Sequence, residues 1–259
     1  MTVQNIARSQ MSEAMMRVSS GNRINSAADD PAGLAIVENM TSQIRGLDQG
    51  TRNTNDMQAM INTAEGGLAG VNDSLNRIRE LSVQALNDTN TPAQRAMISN
   101  EIDQLAQGVQ DQVSNLQFNT MNLLDGSVRN ANTASSPDGT GAIVNINDMS
   151  EIAQAMTEIA RSGSFDLNAI DDAAARVTPE RANLGALSNR MDFTANANTI
   201  SSLNLVDARS RIADADIPLE VGRVERERVL DQIQILMQQA AQNNVEENNR
   251  RVVNAGMGV

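Results

Sequence analysis

Two short acidic clusters are the first places where side chains of this chain could do chemistry. In the first, Asp29 and Asp30 stand directly before Pro31. Such a carboxylate pair could supply half of a metal site or of an acid–base site. However, Pro is favoured at the first helical position, an Asp before it caps the helix, and further negative charge suits the helix dipole. We therefore expect a helix start, with Asp30 as the N-cap.

The second cluster lies in ARSRIADADIPLE, where Asp214, Asp216 and Glu220 come close together. Calcium usually takes six or more oxygen ligands from a loop that turns at a Gly. This run has neither the full ligand set nor the Gly. The pattern therefore favours a helix break followed by a capped helix.

The composition excludes most familiar catalytic groups. Cys, His, Trp and Tyr are absent, and all 20 basic residues are Arg. The chain thus has no thiolate or imidazole metal ligand, no His base, no Cys nucleophile and no Lys for a Schiff base. A carboxylate hydrolase remains conceivable, but the short, turn-rich middle of the chain offers little room for its cleft. We expect a non-enzyme without catalytic residues, cofactor or metal.

Charge and hydropathy also restrict the partners. The net charge of −12 opposes binding to nucleic acid or to an anionic membrane. No run of 18 apolar residues occurs, and the first residues lack the pattern of a secretory signal. We expect neither nucleic acid nor membrane as a partner, and no export by the general pathway.

The remaining candidate for binding is a charged helix surface. In RIREL, Arg77 and Glu80 flank the apolar positions, and an antiparallel second helix would bring Glu101 to the same face. Leu81 is expected beside the seam, so that Arg77, Leu81 and Glu101 could form a binding hot spot. The alternative is a solvated charged face, where such pairs contribute little.

Long helices must position these residues. No Pro interrupts residues 32–91, and apolar residues recur there at helical spacing, with Leu75 and Ile78 on the seam. Thr91, Pro92 and Gln94 have the pattern of a capping box that starts a second helix, which ends near Asn119. Because the turn between the helices is short, the second should fold back antiparallel on the first. Its predicted seam consists of Ile98, Ile102, Leu105, Val109 and Leu116.

After an irregular middle segment, the second half of the chain again shows the pattern of a helix start followed by an apolar seam. Residues 126–177 are rich in turn formers, with a possible strand at 142–147 and a short helix capped by Asp148. Thr178 and Pro179 predict the next helix start. A seven-residue repeat then follows, at Leu184, Met191, Asn198, Leu205 and Ile212. A last helix from about Pro218 carries an apolar stripe, consisting of Val221, Val229, Ile233, Leu236, Met237 and Ala240.

The predicted fold is mainly α: an elongated antiparallel helical bundle or coiled coil formed by the N- and C-terminal segments, with a small middle segment that contains a β-hairpin. The terminal segments should pack together, because neither amphipathic helix can bury its stripe by itself.

Six runs, in order, resemble the bacterial flagellin family. They are RVSSGNRINSAADDPAGLAI (17–36), TRNTNDMQAMINTAEGGL (51–68), LNRIRELSVQA (75–85), FNTMNLLDGS (118–127), RANLGALSNR (181–190) and ARSRIADAD (208–216). Together they cover most of the chain outside the middle. The C-terminal NNVEENNRRVVNAGMGV departs from the apolar, Leu-rich ending that is usual in the family.

The resemblance implies a layered filament subunit. It implies that residues 1–30, with the spoke, and residues 217–259 form an inner coiled-coil layer. Residues 31–125 and 178–216 would form the outer-layer helical domain, and residues 126–177 the short middle. Asp29, Asp30 and Pro31 would lie in the spoke.

It also implies a homopolymer, an extracellular filament used for motility, and export by the flagellar apparatus without a cleaved signal peptide. Further implied partners are a chaperone, a cap protein and a host Toll-like receptor, which would bind Arg77, Leu81 and Glu101. The alternatives are a hook–filament junction protein of the same machinery and a cytoplasmic helical adaptor.

Overall fold

A computed structural model describes the backbone of residues 3–256 and the side chains of residues 8–251. Helices dominate these residues, which confirms the predicted mainly α fold with short antiparallel strands in the middle. The helices are α1 (Val3–Ser20), α2 (Pro31–Ala85), α3 (Pro92–Asn115), α4 (Ser150–Ser162), α5 (Leu167–Ala213) and α6 (Ile217–Gly256). The strands are β1 (Gln117–Phe118), β2 (Met121–Asn122), β3 (Ala131–Asn132) and β4 (Ile143–Val144).

The chain forms two compact units. The central unit is Gln43–Leu203, and the terminal unit combines Met1–Ser42 with Asn204–Val259. Helices α2 and α5 contribute to both.

Helix α3 begins with the capping box that the sequence predicts. The Thr91 hydroxyl accepts the Gln94 N–H at 3.3 Å, and Gln94 Oε1 accepts the Thr91 N–H at 2.8 Å. These two bonds satisfy backbone donors that a helix start leaves free. The helix ends at Asn115, before the predicted Asn119, because the chain turns there into the β1–β2 hairpin.

The core of the central unit is aliphatic. Of the twelve predicted seam and heptad positions, Leu116 and Asn198 are half-buried. Seven are buried: Leu75, Ile78, Ile98, Ile102, Val109, Leu184 and Met191. Leu105 is only half-buried, because Ala106 takes the seam position between Ile102 and Val109. Leu205 and Ile212, which lie in the terminal unit, are also half-buried. The heptad spacing therefore describes the seam better in the central unit than beyond it.

Helix α5 starts at Leu167, so the predicted start at Thr178 is wrong. Pro179 lies inside the helix, where its missing N–H and its ring cost roughly 3 kcal/mol. The first turns of α5 offset this cost because they bury Ile170 and Val177. A cap-like Thr-Pro pair was thus outweighed by tertiary burial.

The N-cap of α4 also differs from the predicted one. Its N-cap is Met149 and not the predicted Asp148, although Asp148 Oδ1 still accepts the Ser150 N–H at 2.8 Å.

The predicted strand at 142–147 shortens to β4, which pairs with β3. The carbonyl of Ser135, in the loop between them, accepts a 2.7 Å hydrogen bond from the Asn198 side chain. A methyl group at Gly50 would lie 2.0 Å from this carbonyl oxygen.

Candidate subunit-contact surfaces

Asp29 and Asp30 have separate roles in the terminal unit. Asp30 Oδ1 accepts the Gly33 N–H at 2.8 Å and therefore caps α2. Asp29 Oδ2 accepts the N–H groups of Asn25 at 3.1 Å and of Ser26 at 2.9 Å. These hydrogen bonds, from Asn25 first and then from Ser26, hold the pKa of Asp29 below its ordinary value. Both carboxylates thus organise the backbone at the start of α2.

The segment after α1 pairs with the end of α5. Gly21 takes a positive φ of 73° at the end of α1, where a side chain would be strained. Beyond it, the Arg23 N–H donates to Ala213 O at 2.6 Å, and the Ala215 N–H donates to Gly21 O at 2.9 Å. Arg23 Nη2 adds a 2.6 Å bond to Ile212 O. These bonds join the two ends of the chain within the terminal unit.

Glu220 links the same elements by charge. It is only 4% exposed, and its Oε1 accepts a hydrogen bond from Arg223 Nη1 at 2.8 Å. Arg17 reaches both Glu220 Oε1, at 3.9 Å, and Asp29 Oδ1, at 3.7 Å. An uncompensated carboxylate would be costly at this depth, so the two guanidinium groups are needed for the packing.

The second acidic cluster caps α6. Asp216 Oδ1 accepts the Leu219 N–H at 3.2 Å, and Asp214 accepts the hydroxyl of Ser210. Over the part of the chain that is described, no group of three or more acidic residues is arranged to hold a metal ion. The cluster therefore serves the helix start.

Helix α6 packs on α1 through a polar face. Buried Glu220 is followed at helical spacing by the half-buried Val224, Glu227 and Asp231. Arg8 Nε of α1 lies 3.5 Å from Asp231 Oδ1. This face is mainly polar, and its half-buried apolar residues are Val224 and Ile235.

The predicted apolar stripe of α6 lies on the opposite face. Its largest members are Val229, Ile233, Leu236 and Met237, which we call the α6 stripe. These side chains are between 46% and 69% exposed. At about 100° per residue, they point away from Glu220 and Asp231. The prediction that the terminal segments pack together is confirmed by α1 and α6. The α6 stripe is not buried by this contact, because α1 covers the polar side of α6.

Arg77 and Glu101 meet as predicted on the central unit. Arg77 Nη2 donates to Glu101 Oε1 at 2.8 Å across the antiparallel α2 and α3, and Arg77 Nη1 donates to Glu80 Oε2 at 3.1 Å. These carboxylates, Glu101 first, raise the pKa of Arg77. All three side chains remain about half exposed or more, so the pairs are accessible to a partner.

Leu81 does not join this charged surface. It is only 2% exposed and belongs to the core of the central unit. Its expected place beside the seam is wrong, because at the end of α2 the buried face widens to include Leu81 and Ser82. An apolar contribution to a hot spot must come from another residue.

A second exposed apolar surface lies on α5, where the sequence pattern predicts none. Phe193, Ile200 and Leu203 are 76%, 60% and 64% exposed. They lie in residues 193–206, which contain no charged residue. This combination of missing charge and large apolar groups outside the heptad positions was the available signal.

Two family models match the chain. The model for the bacterial flagellin N-terminal helical region matches residues 1–129, and that for the C-terminal helical region matches residues 167–248. The chain belongs to the bacterial flagellin family. The C-terminal match begins at residue 167, the first residue of α5, in agreement with the corrected helix start.

Named flagellins are similar over most of their length. A flagellin of Halalkalibacterium halodurans is 38% identical over 89% of this chain and 88% of its own. The flagellar filament core protein flaB2 of Brachyspira hyodysenteriae is 34% identical, covering 88% and 87%.

A solved structure shares the fold of this flagellin-family chain. It is a candidate flagellar hook-associated protein of Vibrio parahaemolyticus, with a TM-score of 0.58 and 16% identity, and it covers 72% of this chain and all of the other. Among the described residues, no helix is both long and apolar enough to cross a membrane.

Proposed function

We propose that this chain is the structural subunit of a helical bacterial flagellar filament, formed by self-assembly and used for motility. Membership of the flagellin family supports the role, and the exposed α6 stripe is the observation that carries the mechanism. Large apolar side chains aligned along one helix face mark a surface that another protein covers. A copy of the chain is the partner that a filament supplies.

Geometry requires that such contacts be heterologous. A polymer grows without limit only when one surface of a subunit meets a different surface of the next, and when the rotation between them does not close a ring. The α6 stripe is one such surface. The polar face of α6, already occupied by α1, is not available for the same purpose.

Seeded polymerisation tests this function. Purified protein is mixed with sheared filaments of the same chain, and growth is followed by light scattering and electron microscopy. We expect wild type to extend the seeds and the variant Ile233→Asp to fail. The control Gln232→Asp adds the same charge at an exposed position beside the stripe and should polymerise. Wild type that never extends seeds would contradict the proposal.

A hook–filament junction protein is the second candidate, since the hook-associated structure shares the fold. The amount of protein distinguishes the two. A filament subunit forms the bulk band of sheared appendages, whereas a junction protein is present only in trace. We expect the bulk band, and recovery only from the cytosol would instead support an adaptor.

Membership of the flagellin family also supports further parts of the proposal. The chain reaches the extracellular filament through the flagellar export apparatus, without a cleaved signal peptide, and with the help of a chaperone and a cap protein. A host Toll-like receptor binds the surface around Arg77 and Glu101, without Leu81. Binding of purified receptor to wild type, but not to Arg77→Ala with Glu101→Ala, is the expected result.

A further inference from the structure

Methionine is the side chain through which an oxidant can act on this protein. The chain has 14 Met but no Cys, His, Trp or Tyr, so the thioether sulfur is the main group that hydrogen peroxide can attack. The sulfur takes up one oxygen atom and becomes a sulfoxide, while the peroxide is reduced to water. This reaction turns a flexible apolar side chain into a polar one. Its effect therefore depends on where each methionine lies.

The two units hold their methionines differently. The central unit has four that are at most 3% exposed: Met60, Met149, Met156 and Met191. Among the described residues of the terminal unit, no methionine is buried. The most exposed of them are Met15, Met16 and Met237, at 53%, 55% and 69%. Because an oxidant must reach the sulfur, it modifies these side chains and leaves the methionines in the core of the central unit intact.

Met237 has the position at which a sulfoxide matters most. It belongs to the α6 stripe, and Ile233 lies one helical turn before it on the same face. A sulfoxide oxygen is a hydrogen-bond acceptor, and the side chains of Val229, Ile233 and Leu236 have no donor for it. Covering such an oxygen without a hydrogen bond is unfavourable. Oxidation of Met237 therefore opposes any contact that covers the stripe.

We propose that Met237 is an oxidation-sensitive switch of assembly. Hydrogen peroxide converts it to the sulfoxide in the monomer, and the oxidised α6 stripe no longer supports polymerisation while the central unit stays folded. A methionine sulfoxide reductase resets the switch: two thiols are oxidised to a disulfide, and the sulfoxide oxygen leaves as water. The chain has no Cys, so these thiols come from the reductase system. This inference rests on the proposed function and adds a modification site to it.

A matched pair of variants isolates Met237. The background variant carries Met15→Leu, Met16→Leu and Met97→Leu, since Leu keeps an apolar side chain and a high helix propensity. The second protein carries Met237→Leu in addition. Both monomers are treated with hydrogen peroxide, peptide mass spectrometry locates the added oxygen, and extension of sheared filaments is followed. We expect oxidation to slow the background variant at least tenfold and to leave the rate of the second protein unchanged.

Two controls accompany this comparison. The melting temperature of the monomer should not change on oxidation, and treatment with the reductase should restore the rate of extension. Met237→Gln in the otherwise unchanged chain places a polar side chain there without any oxidant. It should extend seeds at least tenfold more slowly than wild type, whereas Met237→Leu alone should extend them like wild type.

The outcomes separate this inference from the proposed function. A background variant that is fully oxidised at Met237 and still extends seeds at its original rate would overturn the switch. Equal slowing of both proteins by peroxide would overturn it as well, because the effect would then come from another methionine. If wild type that has not been oxidised fails to extend seeds, the proposed function itself is contradicted.

Discussion

The central unit buries most of its large apolar side chains among its own helices, whereas the terminal unit leaves many of its own in solvent. Leu68, Leu75 and Val109 are fully buried in the first. In the second, α6 presents Val229 and Met237 to solvent and packs on α1 through a mainly polar face that includes buried Glu220. The first unit thus has a large core of its own beside exposed apolar residues such as Phe193 and Ile200, and the second has an apolar helix face that the monomer does not cover.

This difference shows how one chain can have a folded core of its own and still polymerise. Stability of a monomer comes from apolar area that is already removed from water. Free energy of assembly comes from apolar area that is still exposed. Because the buried area lies mainly in the core of the central unit, contacts made by exposed residues leave the part that holds the monomer together folded.

The largest expected effect is the difference between placing an Asp in the core of the central unit and placing one in the α6 stripe. Ile102→Asp puts a charge into the core of the central unit and should lower the free energy of unfolding by more than about 4 kcal/mol. Val229→Asp, in the α6 stripe, should leave it within about 0.5 kcal/mol. Chemical denaturation of both monomers, followed by circular dichroism, measures the difference. Similar losses in the two variants would remove the distinction between the units.

Two adjacent glycines in α2 test how closely this helix packs in the core. A methyl group at Gly67 would lie 2.3 Å from Leu116 Cδ2, whereas a methyl group at Gly66 meets nothing within 4 Å. We expect Gly67→Ala to destabilise the monomer by about 1–3 kcal/mol through overpacking. Gly66→Ala should stabilise it by about 0.5–1 kcal/mol through helix propensity. Thermal unfolding of both variants measures these changes in stability. A change of the same sign in both variants would contradict the close approach of Gly67 and Leu116.

Acid should affect the two units differently. The pKa of Asp29 in the terminal unit is lowered by hydrogen bonds from Asn25 and Ser26, and that of Asp125 in the central unit is lowered by Ser127. A lowered folded-state pKa stabilises at pH values above the unfolded pKa, and this stabilisation is lost as pH falls through the folded value.

Below the ordinary Asp pKa of 3.8, we therefore expect the turn at residues 25–29 to open first. The turn at Asp125 follows buried Leu123 and Leu124 and should persist. Amide chemical shifts recorded against pH measure both turns. Asp29→Asn should remove the pH dependence at Asn25 and Ser26, and opening of both turns at the same pH would argue against the difference in core support.

The smallest expected effect concerns the charged surface of the central unit. Arg77 and Glu101 are about half exposed, so their 2.8 Å pair should contribute only about 0.2–1 kcal/mol. A double-mutant cycle with Arg77→Ala and Glu101→Ala measures it, and the value should fall further at high salt. A coupling above 2 kcal/mol would mean that the pair is part of the core and not of an accessible surface.

Much of the fold was predictable where local signals and burial agree. The capping box at Thr91, the helix start at Pro31 and the seam through Ile98 and Ile102 follow from spacing and capping rules alone. The start of α5 did not, because a Thr-Pro pair is a strong local signal and the burial that outweighs it comes from distant residues. Met149 as the cap of α4 has the same explanation.

The contact surfaces were harder to predict from the sequence. An apolar stripe such as that of α6 predicts that one helix face is covered, but it does not predict which element covers it. Here α1 packs on the opposite, polar face. Leu81 shows the converse, since its spacing places it at the seam's margin while packing buries it. Phe193 and Ile200 fall outside the heptad positions, so periodicity alone gave them no role.

Amide hydrogen exchange of the monomer and of the filament tests the difference between the units most directly. The account predicts that residues 98–113 of α3 are equally protected in both states. Residues 219–237 of α6 should exchange rapidly in the monomer and become at least a hundredfold slower in the filament. Equal exchange of α6 in the two states would contradict the claim that copies of the chain cover its apolar face.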